Sequence, residues 1–220
     1  MNAILSGASG FTGSHLAREL ASRRDAQVTA LVRKTTQALE RPVKQVVCDF
    51  ARLDALAPVP EADAVFCALG STIVKAGSRE AFRQVDYDAV MAVGRYGRRC
   101  GASQFLLVSS VGASPKSRNF YLRVKGEAER DLATLGYRAL HIFRPSMLLG
   151  VRAEKRIGET IGIPLIKAIG WALGGSLAKY RGIEAIAVAR AMVRAATQAS
   201  NDGVRTYHYR EISALVVGPA

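Results

Sequence analysis

Cysteine is scarce in this chain: Cys48, Cys67 and Cys100 are all it has, an odd number and widely spaced. That argues against a disulfide framework and for a reducing compartment, with the cytoplasm as the default. Cys48 and Cys67 fall inside apolar runs and read as core. Histidine is equally sparse, and His15, His141 and His208 lie far apart without cysteine or carboxylate clusters, so no metal site is expected. The one tryptophan, Trp171, reads as core rather than as a ligand platform.

Long hydrophobic runs are also missing. A membrane-spanning helix needs roughly 20 apolar residues. The nearest approach, IGIPLIKAIGWALGGSLA at 161–178, is broken by Pro164, Lys167 and Gly174–Gly175, so it is expected to line a pocket or dock on the surface. No basic segment followed by an apolar one precedes the first strand-like run, which argues against secretion. Acidic residues are few, 18 against 31 Lys and Arg, for a formal charge of +13. Such an excess can serve nucleic acid or an anionic membrane. Here the cations are scattered (Arg23–Arg24, Arg33–Lys34, Arg98–Arg99, 152–156) and never interleaved with aromatics, so specific nucleic-acid binding is not expected.

What is present is regular. With 220 residues, 49% of them hydrophobic, the chain suits one globular domain over 1–220 with a sizeable core. Apolar, β-rich runs recur at 2–5, 27–32, 43–48, 64–68, 104–109 and 139–143. Helical patterns lie between them, clearest at 12–22, 79–100 and 120–135. Strands alternating with helices predict an α/β fold, a doubly wound parallel sheet covered on both faces. After Arg144–Pro145 the alternation fails. Residues 146–181 are Gly-rich and irregular and read as a small substrate-facing insertion, followed by a helix within 182–200 that packs back on the sheet.

The first strand-like run leads into GASGFTG, with Gly7, Gly10 and Gly13, and then into an amphipathic helix. Strand, glycine turn and helix in that order form a phosphate cradle: Gly7 for the sharp turn, Gly10 for backbone approach to a pyrophosphate, Gly13 for helix packing. The spacing is GxxGxxG rather than the commoner GxGxxG. The second strand ends in LVRK. A site for NAD places an acidic residue there for the ribose 2′-hydroxyl; Arg33 and Lys34 instead suit a 2′-phosphate, so NADP(H) is expected in preference to NAD(H).

The fifth strand ends in Ser109–Ser110, and YLRVK follows at 121–125. On a helix Tyr121 and Lys125 stand at i and i+4, on one face. An ammonium beside a phenol favours the phenolate, whose unperturbed pKa is about 10. Such a tyrosine can give a proton to a carbonyl oxygen while hydride arrives at its carbon, with a serine hydroxyl holding that oxygen. Adjacent strand residues face opposite ways, so one of the two serines reaches the site; spacing to the tyrosine favours Ser109. Asp49 and Asp54 are read equally as caps of local turns, and Arg144–Pro145 as a strand end.

GASGFTG, the Ser109–Ser110 strand end and YLRVKGEAE together resemble the short-chain dehydrogenase/reductases. FCALGSTIVKAGSREAFRQVDYDAV followed by LLVSSVGASPKSRNFYLRVKGEAE is similar, more narrowly, to an atypical branch: the NAD(P)H-binding oxidoreductases like the Tat-interacting protein, and their bacterial relatives. The likeness runs from Met1 to about Arg190, with HIFRPSMLLG where that branch has its sixth strand and following loop. The resemblance implies a Rossmann fold in which Gly7, Ser9, Gly10, Phe11, Thr12 and Gly13 surround the pyrophosphate. It implies that Arg33 and Lys34 meet the adenosine phosphate, Asp49 and Phe50 the adenine, and Ala68, Leu69 and Gly70 the adenosine ribose and diphosphate. Lys125 would also bind the nicotinamide ribose, and Pro145 with Ser146 the carboxamide. Asp86 departs from the pattern, standing near the place of an Asn that relays protons in many members.

The expectation is therefore an NADP(H)-dependent enzyme that reduces a carbonyl or oxidises an alcohol, with Tyr121 as acid/base, Lys125 beside it and Ser109 or Ser110 on the substrate oxygen. Ile161, Ile163, Leu165, Ile166 and Trp171 in the insertion favour a small hydrophobic substrate. The alternative is a regulatory protein that binds NADPH and modulates a protein partner without turnover.

Overall fold

A computed structural model describes residues 1–37, 39, 42–58, 61–150, 175–198 and 202–217. Its centre is a parallel sheet of seven strands: β1 (Asn2–Ser6), β2 (Gln27–Val32), β3 (Lys44–Val47), β4 (Ala64–Cys67), β5 (Gln104–Val108), β6 (Ala139–Phe143) and, late in the chain, β9 (Gly203–Tyr207). The order across the sheet is β3-β2-β1-β4-β5-β6-β9. Chain direction around the sheet therefore reverses between β1 and β4, where open parallel sheets leave a crevice beyond their strand ends. A short parallel pair, β7 (Leu148–Leu149) with β8 (Ile183–Glu184), lies outside the main sheet.

The central strands read as unbroken apolar runs because both their faces are covered. All four residues of β4 and all five of β6 are buried. Alternation sends Leu5, Phe66, Leu106 and Phe143 to one core, packed by α1 (Phe11–Ala21) and α6 (Ala185–Thr197) through Leu16, Leu20, Val188 and Met192. Ile4, Val65, Phe105 and Ile142 go to the other, under α4 (Ala89–Arg99) and α5 (Phe120–Leu132) through Val93, Tyr96, Ala128 and Leu132. This is the doubly wound α/β sheet that the alternating pattern predicts.

Helix starts follow side-chain chemistry. Asn119 caps α5 by accepting from the Leu122 N–H at 3.2 Å, Thr72 caps α2 (Ile73–Ala76), and Ser78 caps α3 (Arg79–Arg83). From α3 the chain passes through a π-helical turn, Gln84–Asp88, directly into α4. Such turns inside helices recur at functional sites.

Two elements were not expected. β9, GVRTY, is an edge strand with its first four residues exposed, so it shows no apolar run; α7 (Tyr209–Val217) follows it. Of the proposed 146–181 insertion, 151–174 lie outside the described residues, including Ile161, Ile163, Leu165, Ile166 and Trp171. Its two ends are joined, however: Ile183 N–H donates to the Met147 carbonyl at 2.8 Å, and β7 pairs with β8. Among the described residues no helix is long and apolar enough to cross a membrane.

β9 buries one notable partner for β6. Tyr207 stacks on Phe143 with ring centroids 4.6 Å apart, and its hydroxyl lies 2.9 Å from Nδ1 of fully buried His141. Burial, helped by Arg205, lowers the His141 pKa to about 4. The imidazole is thus neutral in the folded protein at pH 7, while the unfolded chain takes up a proton near pH 6.5. Because the unfolded state binds more protons between those values, stability falls as pH drops from 6.5 towards 4, by up to about 3 kcal/mol. His141→Gln is expected to lose this component, seen as a shallower decline of the urea midpoint across that window than in the parent.

Candidate functional site

The glycine loop sits at the sheet's reversal point, between β1 and α1. Gly7 has φ +79°, and a Cβ there would stand 2.5 Å from the Ala68 backbone at the exit of β4. Its carbonyl accepts from Gly10 N–H at 2.8 Å, closing the turn. A Cβ on Gly13 would lie 1.9 Å from that same carbonyl oxygen, so α1 can start here only because Gly13 has no side chain. Ser9 and Gly10 face outward, and Gly10 caps α1 without any side-chain hydrogen bond. The N-terminus of α1 thus begins directly behind an exposed backbone turn, an arrangement that suits a diphosphate. Gly13→Ala is expected to destabilise the protein by about 3 kcal/mol through overpacking. Gly10→Leu should leave the fold largely intact and abolish NAD(P)H binding. Denaturant melts and calorimetry separate the two outcomes.

The residues that the resemblance assigns to the adenosine end are more open. Arg33 and Lys34, just past β2, are exposed. Asp49 accepts from Ala51 N–H at 2.9 Å and so caps the 3₁₀ turn Phe50–Ala55, and Phe50 packs against the second core. Asp54 pairs with Arg95 at 3.2 Å rather than capping a turn.

Beyond the β4 exit, Ala68–Gly70 approaches the centre of interest. Lys125 is 5% exposed and Asp86 fully buried; their Nζ and Oδ1 are 2.8 Å apart. The second Asp86 oxygen accepts from Ser71 N–H at 2.8 Å. A Cβ on Gly70 would stand 3.4 Å from both charged atoms, so this loop lies directly on the ion pair. Burial, the largest single effect, works to lower the Lys125 pKa, but the Asp86 carboxylate together with the nearby Tyr121 and Cys67 outweighs it; the net shift is upward and Lys125 stays charged. The Tyr121 ring is half-buried against Phe82, centroids 5.4 Å apart. The π turn is what brings Asp86 here, and Asp86 occupies the ammonium that the expected pattern leaves to Tyr121 and the ribose.

The serines divide. Ser109, favoured by spacing, has its hydroxyl donating to Glu129, a buried carboxylate on α5 that also takes a two-pronged contact from Arg144. Among the described residues the Ser110 hydroxyl makes only a long 3.4 Å contact to the Val111 carbonyl. Spacing favours Ser109, and it is the Ser109 hydroxyl that Glu129, twenty residues on, engages. Pro145 is buried with its carbonyl accepting from Val111 N–H at 3.0 Å, and the Ser146 hydroxyl donates to the Arg181 carbonyl. Glu129 lies within the quoted YLRVKGEAE motif, but nothing in the sequence marks it; Arg144 reads there only as a strand end.

A family model described as NAD(P)H-binding matches residues 7–159, which covers the loop, Asp86, both serines and the Tyr121–Lys125 pair. The chain belongs to this NAD(P)H-binding family. Within it, this member is an atypical short-chain dehydrogenase/reductase. It is 34% identical to the rat protein HTATIP2 over 194 residues, 85% of this chain and 77% of the relative. It is 29% identical to the mitochondrial protein fmp52 of Emericella nidulans over 213 residues, 92% and 90% of the two chains. Solved structures share the fold at low identity. A Thermus thermophilus UDP-glucose 4-epimerase in complex with NAD gives a TM-score of 0.70 at 16% identity, covering 98% of this chain and 82% of that one. The human epimerase family protein SDR39U1 with NADPH gives 0.62 at 17%, covering 94% and 74%. The expectation of a cytoplasmic location is overturned by these relatives, since several fungal members are named mitochondrial. Scarce cysteine does not single out the cytoplasm.

Proposed function

We propose that this family member is an NADP(H)-dependent oxidoreductase that reduces a carbonyl or oxidises an alcohol. The observation that carries the reading is a buried, charged Lys125 one helical turn from Tyr121, beside the loop that meets the glycine cradle. The glycine loop (Gly7, Ser9, Gly10, Phe11, Thr12, Gly13) and Ala68–Gly70 would hold the cofactor's diphosphate, and Pro145–Ser146 the nicotinamide end. A bound nicotinamide supplies hydride exchange with the substrate carbon. Tyr121 then gives its hydroxyl proton to the substrate oxygen in reduction, or takes it back in oxidation. Lys125 stabilises the phenolate left behind, and Ser110, whose neighbour is committed to Glu129, orients the substrate oxygen. The apolar sequence of 161–171 supports a small hydrophobic substrate. The test is NADPH consumption across a panel of aldehydes and ketones; a protein that binds NADPH and consumes none would reject the reading.

One observation favours a second reading, a regulatory protein that binds NADPH and changes its affinity for a protein partner. Lys125 already holds a carboxylate at 2.8 Å, which offsets part of the charge it offers Tyr121. NADPH binding without consumption across the panel selects this reading.

Cofactor choice rests on Arg33 and Lys34. NADPH is expected to bind more tightly than NADH by at least ~1.4 kcal/mol, a factor of ten. The double variant Arg33→Ala/Lys34→Ala should erase most of the gap in calorimetry, and equal affinities in the parent protein would remove the argument.

A further inference from the structure

Tyr121, Lys125 and Glu129 follow one another at four-residue intervals along one face of α5, and the last has no part in the chemistry above. Glu129 is 5% exposed and paired with Arg144. A carboxylate has about four acceptor sites, and here three donors from two strands converge on it. Ser109 Oγ donates from the end of β5 to Oε1. Arg144, just past β6, donates through Nε to Oε1 at 3.0 Å and through Nη2 to Oε2. The backbone closes the junction: Ser109 N–H donates to Phe143 O at 2.7 Å, Val111 N–H to Pro145 O at 3.0 Å, and Arg144 N–H to Tyr207 O at 2.8 Å. One carboxylate thus touches each of the three chain segments that carry the proposed catalytic groups: β5 with Ser110, β6 with Pro145 and Ser146, and α5 with Tyr121 and Lys125.

We infer that Glu129 is a positioning residue that sets the height and rotation of α5 against the ends of β5 and β6, and so places Tyr121 relative to Ser110. An apolar residue of similar volume would fill the space but would fix neither coordinate, because hydrophobic packing is non-directional. A two-pronged guanidinium contact with an added hydroxyl is directional. Buried ion pairs contribute little net stability against apolar replacements, so the use of this one is geometric. The same contact turns the Ser109 hydroxyl away from substrate and leaves that task to Ser110. The kinetic consequence rests on the oxidoreductase reading; the structural one does not.

Glu129→Gln keeps the volume and an oxygen for Ser109, but turns an amide NH₂ towards Arg144, donor against donor. Amide hydrogen exchange on the full chain is expected to rise roughly tenfold at 109–112 and 146–149, with 2–13 unchanged, as a local rather than global opening. Unchanged rates, or one uniform rise over the whole chain, would overturn the inference. Where a carbonyl substrate is turned over, Glu129→Gln is expected to lower kcat by roughly 10–100-fold in the parent, as misplaced reacting groups do. In the Tyr121→Phe background it should have under about threefold effect, because the group it positions is gone. Equal losses in both backgrounds would mark a merely structural role. If no variant or parent turns over, the oxidoreductase reading fails while the exchange pattern still decides the role of Glu129. Should Glu129→Gln not fold, Glu129→Gln/Arg144→Gln replaces the ion pair by an amide pair and carries the same expectations.

Discussion

Lys125→Met is expected to cost about 3–5 kcal/mol of folding stability, because it leaves the fully buried Asp86 carboxylate with the Ser71 N–H and no counter-charge. The methionine fills nearly the same volume, so the loss is electrostatic rather than a cavity effect. Asp86→Asn alone should be costly for the mirror-image reason: a buried ammonium without its carboxylate. The double variant Asp86→Asn/Lys125→Met should recover most of the loss, since its neutral Asn still accepts from Ser71 and neither charge remains. Urea unfolding at pH 7 decides this. A fully additive double variant would show that the two residues act independently. Function should not recover with stability, because the proposed oxidoreductase chemistry needs Lys125 beside Tyr121 and the cofactor ribose as well as beside Asp86.

Tyr121→Phe should do the reverse, sparing stability and binding while removing chemistry. The ring and its contact with Phe82 are retained, and only the hydroxyl is lost. NADPH affinity should stay within a few-fold by calorimetry, while carbonyl reduction slows by roughly 10²–10⁴, the usual contribution of a general acid. A variant that keeps the parent rate would show that the proton comes from elsewhere, and one that loses NADPH binding would place Tyr121 in the cofactor site alone.

Much of the architecture was legible because central parallel strands must be apolar on both faces; AVFC of β4 and ALHIF of β6 declare themselves. β9 did not, since an edge strand with four exposed residues, Arg205 among them, carries no such run. The glycine loop was equally readable, as its glycines answer to backbone clashes that any side chain would bring. Tyr121 and Lys125 were readable from helical spacing. The partners of those groups were not. Asp86 arrives through a π turn, which a 3.6-residue period does not reveal. The engagement of the Ser109 hydroxyl depends on Glu129 and Arg144, distant in sequence and adjacent only in the fold. Compartment was misread, because cysteine scarcity speaks of redox state rather than address.

The most direct measurement follows the label rather than the rate. NADPH carrying deuterium at its transferable position, mixed with the parent protein and each carbonyl of the panel, is read out by mass spectrometry of the alcohol formed. Deuterium at the carbinol carbon with the parent, and its near absence with Tyr121→Phe at equal NADPH occupancy, is the expected result. Saturated, unconsumed NADPH and unlabelled carbonyl throughout would contradict it.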